Sequence, residues 1–241
     1  MIRKIIAFWG FFCLISLFAS CQKEKLEYRT GDIRVKIVPG ENWLHPYPLV
    51  LGLSKKNPPQ FAVWLEDTTG AYLSTVFCTY KIATESWINN KENRRKEALP
   101  YWCYRRGVVY DDGLLLPDKK DPLADGITGA TPLHGKELQI HLADFLGPVV
   151  VKAEFNHSVD FNDFFPKDAN KGDFDYSGGK EGSGQPAVVY AGTVYPELGT
   201  LHLTLIGRSS ADGTDGVLYD DLDRLTTARS IVEDIGVTVF K

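Results

Sequence analysis

The chain has 241 residues, of which 44% are hydrophobic and 24% are charged, a composition typical of a globular protein. The length is sufficient for one large domain or two small ones. The formal net charge is -4 at pH 7, which argues against a nucleic-acid partner, because such partners are bound by basic surfaces.

The beginning of the chain has the pattern of a secretory signal. A short basic head, "MIRK", precedes an apolar run over residues 5–18, which is too short to cross a bilayer comfortably as a mature helix. The next segment, "FASC" at 18–21, resembles a bacterial lipoprotein box in which phenylalanine replaces the usual leucine. The resemblance implies a signal peptide over residues 1–20, cleavage before Cys21 and a diacylglycerol on the Cys21 thiol. The alternative is a plain signal peptide with an incidental cysteine.

A lipid anchor of this kind would hold the exported protein in the cell envelope. Gln22 follows Cys21 in place of the aspartate that retains lipoproteins in the inner membrane, and this favours the outer membrane, on its periplasmic or surface face. Residues 21–31 are predicted to form a tether, and residues 32–241 a single domain.

Two cysteines, Cys78 and Cys103, remain for the mature domain in an oxidising compartment. A disulfide between them would close a loop of about 25 residues and contribute about 3 kcal/mol to stability. The alternative is two buried thiols. Neither cysteine belongs to a Cys-x-x-Cys motif, so neither a redox dithiol nor a zinc site is predicted.

The rest of the chain is dominated by segments with the alternation and residue types of β-strands. Residues 222–235 are the one segment with a helical pattern, predicted as a short helix. Many strands, few helices and frequent turn residues predict an all-β antiparallel sandwich with long loops and one short helix. The predicted strands lie at 32–38, 61–67, 71–83, 136–144, 148–159, 185–195, 199–207 and 236–240.

Two long polar segments, 84–135 and 160–184, interrupt the strands and are predicted to be loops. Loops of this length in a compact domain usually serve a function. The second loop carries oxygen ligands spaced roughly as in a calcium loop, but Gly179 stands where such a loop needs a glutamate. No metal site is predicted from it.

The most specific feature is "DGITGAT" at residues 125–131. It fits Asp-x-x-Ser/Thr-Gly-Ala-Ser/Thr at every specified position and is similar to the sequence recognised by bacterial flavin transferases. These exported enzymes move FMN from FAD onto a hydroxyl group. The resemblance implies that Thr131 is the acceptor, joined to FMN by a phosphoester. The recognition residues would be Asp125, Thr128, Gly129 and Ala130.

The Asp- and Pro-rich surroundings predict that the motif stays out of a sheet and that its threonines are accessible. After attachment, the flavin ring is expected to stack on an aromatic side chain. Trp87 and the segment "YWCYRR" at 101–106 are candidates because they belong to the same loop region. The structural alternative is an ordinary turn that leads into the strand at 136.

Several segments besides the motif resemble a family of periplasmic proteins of unknown function. The family is associated with flavin transferases and with membrane electron-transfer partners. The resemblance covers most of residues 60–240 and implies an immunoglobulin-like β-sandwich with an extracytoplasmic redox role. The segments are "FAVWLEDTTGAYLSTV", "AEFNHSVDFN", "GQPAVVYAG" and "LYDDLDRLTTARSIV".

These features together predict a lipid-anchored electron carrier with covalent FMN rather than an enzyme with its own substrate. Its partners would be a flavin transferase, a membrane electron-transfer protein and the membrane itself. The alternative is a periplasmic or surface lipoprotein that binds a glycan or a protein ligand through exposed aromatic side chains such as Trp87 and Trp102.

Overall fold

The structure, a computed structural model, describes residues 26–49, 51, 53–87, 94–141, 147–197 and 199–241. The predicted signal peptide, Cys21 and residues 22–25 of the predicted tether lie outside the described residues. Within the described ranges, no helix is long and apolar enough to cross a membrane.

Strands make up most of the described secondary structure, together with two short α-helices and three 3-10 turns. In chain order the strands and helices are β1 (Asp32–Pro39), β2 (His45–Pro48), β3 (Ser54–Asn57), β4 (Gln60–Glu66), β5 (Tyr72–Thr79), α1 (Tyr80–Thr84), α2 (Pro100–Arg106), β6 (Ile127–Gly129), β7 (Lys136–His141), β8 (Val149–Asn156), β9 (Val188–Val194), β10 (Thr200–His202), β11 (Thr204–Arg208) and β12 (Val232–Val239).

The strands form two large sheets and a separate two-stranded sheet of β2 and β3. The four-stranded sheet has the order β10-β12-β1-β7, and the six-stranded sheet has the order β11-β9-β8-β4-β5-β6. Neighbouring strands are antiparallel except β5 and β6, which are parallel. The predicted all-β, immunoglobulin-like sandwich class is confirmed, with β6 as the parallel exception.

The main core lies between the two large sheets. Side chains alternate across a strand, so every second residue of a strand points to the same face. Ile33 and Val35 of β1 therefore meet Phe61 and Val63 of β4 in one buried apolar cluster. The strands predicted at 61–67 and 71–83 correspond to β4 and β5, although β5 ends at Thr79, where α1 begins. The two strands form a hairpin, with a turn in which the Asp67 side chain accepts the backbone N–H of Ala71.

A third layer covers the outer face of the six-stranded sheet, because α1, α2 and described residues of the neighbouring segments, such as Leu116 and Leu123, pack there. Trp64 of β4 and Trp102 of α2 are both fully buried in this second cluster. Strand β4 is consequently buried on both faces. Much of the segment predicted to be a long loop, 84–135, is therefore part of the packed structure.

The helix predicted at 222–235 is wrong. The chain makes two 3-10 turns, Leu222–Arg224 and Thr227–Ser230, and then enters β12, which pairs with β1 along its length. The β-branched residues of β12 place Val232, Val237 and Val239 in the core. This long-range pairing and burial outweigh the local helical pattern.

Candidate functional site

The motif lies at the edge of the six-stranded sheet. Residues Ile127–Gly129 form β6, the terminal strand, and Thr128 pairs with Cys78 in the parallel register of β5. The prediction that the motif stays out of a sheet is wrong, because three residues suffice to pair with the exposed edge of β5. Thr128 and Ala130 are exposed, and the other edge of β6 has no partner strand within the described residues.

Asp125 fixes the start of the motif to the third layer. Its Oδ2 accepts the Tyr72 hydroxyl at 2.6 Å, and its Oδ1 accepts Nη2 of Arg106 at 2.9 Å. Burial raises the pKa of Asp125, but the Tyr72 hydroxyl and the Arg106 guanidinium outweigh it, so the pKa lies below its usual range. The ionised Asp125 therefore connects the motif to β5 and to α2.

Helix α2 places Arg106 at this position. The helix begins at Pro100, whose missing N–H costs nothing at a helix start, and it ends before Gly107 at φ +67°. The buried Glu154 of β8 accepts the backbone N–H of Trp102 at 2.7 Å, and the buried Glu66 of β4 accepts Nε of Arg105 at 2.9 Å. Two buried acidic side chains of the sheet thus hold α2 in place.

Glycines allow the motif to lie close to β5. A Cβ at Gly126 would lie 2.8 Å from Cγ2 of Thr75 and 3.1 Å from its carbonyl oxygen. A Cβ at Gly129 would lie 3.1 Å from the ring of Phe77. Gly129, which the flavinylation motif specifies, therefore also has a packing role in this fold.

Thr131 follows the end of β6 and is half-buried. Its Oγ1 lies 3.2 Å from Nε2 and 3.5 Å from Oε1 of Gln60, the buried first residue of β4. Among the described residues, no carboxylate, imidazole or amine hydrogen-bonds this hydroxyl. The amide orients the hydroxyl without acting as a base, so any activation for nucleophilic attack has to come from another molecule.

An open groove of about 460 Å³ lies next to the residues that follow the motif, with Leu133 and His134 in its lining. The Trp43 indole N–H donates to the carbonyl of Pro132 at 3.2 Å, which joins the end of the motif to the groove wall. The groove has the size of a small-molecule site, and its lining mixes apolar, basic and acidic side chains. The lining residues are Pro39, Gly40, Glu41, Trp43, Leu44, Lys56, Leu133 and His134.

The chain was compared with protein-family models, with curated proteins and with solved structures. It matches none of them. The motif and its surroundings in the fold carry the functional argument below.

Two of the predicted stacking residues are not available as platforms. Trp102 is fully buried and Arg106 lies over its ring at 5.0 Å, while Tyr101 is also buried. The half-buried ring of Trp87 has the Arg95 guanidinium 4.3 Å from its centroid, because the electron-rich face of an indole attracts cations. The stacking prediction is therefore wrong for Trp102 and Tyr101, whereas Tyr104 of the same segment is 38% exposed. The same packing removes Trp102 from any exposed glycan-binding surface.

Both cysteines of the domain are free and buried on the outer face of the six-stranded sheet. Burial raises the pKa of the Cys78 and Cys103 thiols, which makes them unreactive at neutral pH. Of the two alternatives left open by the sequence, the structure has the buried thiols. Across the described ranges, no three His, Cys, Asp or Glu side chains are grouped so that they could hold a metal ion.

Sequence reasoning missed the residues that position the motif. Gln60 holds the acceptor hydroxyl, and Tyr72 and Arg106 hold Asp125. All three are far from the motif along the chain, and no local pattern marks them. Only the pairing of β6 with β5 and the packing of α2 bring them together.

Proposed function

We propose that the protein is an exported, lipid-anchored electron carrier with FMN attached covalently to Thr131. The observation that carries the proposal is the complete Asp-x-x-Thr-Gly-Ala-Thr motif, which lies on an outer edge of the fold. A transferase has to bind a segment of this kind from outside. An edge strand with exposed residues on both sides of Gly129 is open to such an approach.

Attachment forms a bond from Oγ1 of Thr131 to the phosphorus of the FMN half of FAD. The pyrophosphate bond breaks, AMP leaves, and the hydroxyl proton passes to the transferase. Gln60 has to release the hydroxyl for this step, because its amide occupies the oxygen in the unmodified protein. The ties from Asp125 to Tyr72 and Arg106 keep the start of the motif fixed meanwhile.

The groove next to Pro132 suits the attached group. Leu133 and Leu44 offer apolar surface to a flavin ring, and Lys56 and His134 offer hydrogen-bond donors to a phosphate or a reduced flavin, beside the single carboxylate of Glu41. FMN supplies one- and two-electron redox chemistry when bound. The residues of the chain attach it, limit its orientation and set the polarity around it.

The proposed partners follow from this role. A flavin transferase has to attach the group, and a membrane electron-transfer protein has to exchange electrons with it. The predicted lipid on Cys21 would keep the carrier in the envelope, where a dissociable FMN would be lost. The outer membrane is the proposed location, with Gln22 as its sequence signal.

Intact-mass spectrometry tests the proposal. The full chain is produced with an exported flavin transferase, beside Thr131→Ala and the matched control Thr131→Ser, which keeps the hydroxyl. The wild type and Thr131→Ser are expected to gain the mass of one FMN less one water and to keep flavin fluorescence after denaturation. Thr131→Ala is expected to gain nothing. A wild type without added mass, or an equal gain in Thr131→Ala, would contradict the proposal.

A further inference from the structure

The hairpin of β2 and β3 projects an apolar tip. Leu49, Leu51 and Leu53 are the described residues of the connection between the two strands, and the backbone N–H of Leu49 donates to the carbonyl of Leu53 at 2.7 Å. Three leucines of this tip are solvent-exposed, with exposed fractions of 49% at Leu49, 92% at Leu51 and 65% at Leu53. The two strands form their own sheet, outside the sandwich.

Leu51 is unfavourable at its position for two independent reasons. Its φ is +63°, in the left-handed region that L-residues with a bulky side chain rarely adopt. Its side chain is also almost fully exposed, so leucine gains nothing here from burial in the folded chain. Glycine or asparagine would relieve the backbone and suit water better. A leucine that the fold itself does not need indicates contact with an apolar phase outside the protein.

Basic residues stand directly behind the tip. Lys55 and Lys56 are exposed on β3, and together with the tip they give the sequence "LVLGLSKK". Lys81 is close to Lys55. Burial and the positive charges of Arg95 and Lys55 lower the pKa of Lys81. An apolar end followed within one strand by lysines is the arrangement of segments that sit at a membrane interface. There the apolar residues enter the acyl boundary and the lysines meet lipid phosphates.

We propose that the β2–β3 hairpin tip inserts into the interface of an anionic phospholipid membrane. Leu49, Leu51 and Leu53 enter the acyl boundary, while Lys55 and Lys56 bind the phosphates of the headgroups. The apolar tip followed by two lysines favours a lipid surface over a second copy of the chain as the partner. A second copy would have to offer an apolar pocket surrounded by acidic groups. The inference does not require a modified Thr131, although Lys56 also lines the groove proposed for FMN.

Site-specific labelling tests the insertion on the mature chain from Gln22 to Lys241, which carries neither the predicted signal peptide nor the predicted lipid, so that these do not contribute to vesicle binding. Leu51→Cys carries an environment-sensitive nitrobenzoxadiazole dye, and Phe174→Cys, at a position that is 74% exposed, serves as the matched control. Unsubstituted chain carried through the same labelling gives the background from its own cysteines. Each protein is mixed with vesicles of phosphatidylcholine alone or with phosphatidylglycerol, and with the same vesicles containing a spin-labelled phosphatidylcholine that quenches the dye.

The dye at position 51 is expected to shift to shorter wavelength on anionic vesicles and to be quenched by the spin-labelled lipid. The dye at position 174 is expected to do neither. In the Leu51→Cys background, replacing Lys55 and Lys56 by glutamine is expected to weaken vesicle binding about fivefold for each lysine, and high salt to weaken it as well. Because these positions are exposed, the variants should unfold as the parent does.

Three results would overturn the inference. The first is an emission at position 51 that does not change on vesicles. The second is a shift that depends on protein concentration without quenching by the spin-labelled lipid, which would identify a second copy as the occupant. The third is equal binding to anionic and neutral vesicles that is unaffected by the lysine replacements, which would remove the role of the anionic headgroups.

Discussion

Replacing Asp125 by asparagine removes the negative charge that ties the motif to Tyr72 and Arg106. The Arg106 side chain is 3% exposed, so the substitution leaves a buried guanidinium without its anionic partner. Asp125 itself is 39% exposed, and water screens part of the interaction. The asparagine carbonyl still accepts one of the two hydrogen bonds that the carboxylate accepted.

The expected cost lies between that of a buried and that of an exposed charge pair. A hydrogen bond to a charged group contributes about 1.5–3 kcal/mol and an exposed ion pair about 0–1 kcal/mol. We therefore expect Asp125→Asn to lower the free energy of unfolding by about 1–2 kcal/mol. In a domain of this size each kcal/mol lowers the melting temperature by about 2–4 °C.

Urea unfolding followed by tryptophan emission measures this cost. Trp102 reports the local change, because Arg106 lies over its ring. The matched control is Asp111→Asn, an exposed aspartate in the segment between α2 and the motif. If both variants unfold at the same urea concentration, Asp125 does not anchor the motif, and the positional role assigned to it is incorrect.

Two further predictions concern buried groups. Burial raises the pKa of Glu154 to about 8, although the backbone N–H that Trp102 donates to it acts in the opposite direction. The folded state therefore binds a proton that the unfolded chain releases near pH 4.3. For this reason the free energy of unfolding falls as the pH rises from about 4.3 to 8. Glu154→Gln should make the melting temperature fall less steeply between pH 5 and 8. The part due to Glu85 should remain, because burial raises the pKa of Glu85 to about 8 as well. An unchanged profile would show that Glu154 stays charged in the folded state. Cys78 and Cys103 should resist a thiol reagent in the native protein and both react after non-reducing unfolding, whereas no reaction at either would reveal a disulfide.

The strand pattern of the sequence was sufficient for the sandwich because strands with one buried face, such as β1 and β7, alternate with a period of two. Strands β1, β4, β5, β7, β8 and β9 all lie within or beside predicted segments. The pattern failed at 222–235, where two 3-10 turns precede a strand whose pairing with β1 is non-local. It also missed β2 and β3, whose apolar residues lie at an exposed tip instead of along a buried face.

The candidate site was predicted in part. The motif identified Thr131 as the residue of interest, but the sequence could not show that Gln60 holds its hydroxyl or that Arg106 binds Asp125. These contacts join residues that are remote along the chain and depend on the parallel pairing of β6. Tyr101 and Trp102, which precede the motif in sequence, are buried because they pack in the third layer.

The two walls of the groove lined by Leu133 and His134 belong to parts of the protein with different rigidity. Pro39 and Trp43 come from β1 and the segment that leaves it, which pack in the sandwich core, whereas Lys56 comes from a two-stranded sheet. A two-stranded sheet is only marginally stable by itself, so it opens locally at a lower free energy than the sandwich. Amide hydrogens of β2 and β3 would exchange before those of β1. The width of the groove would change with the same local opening of the two-stranded sheet.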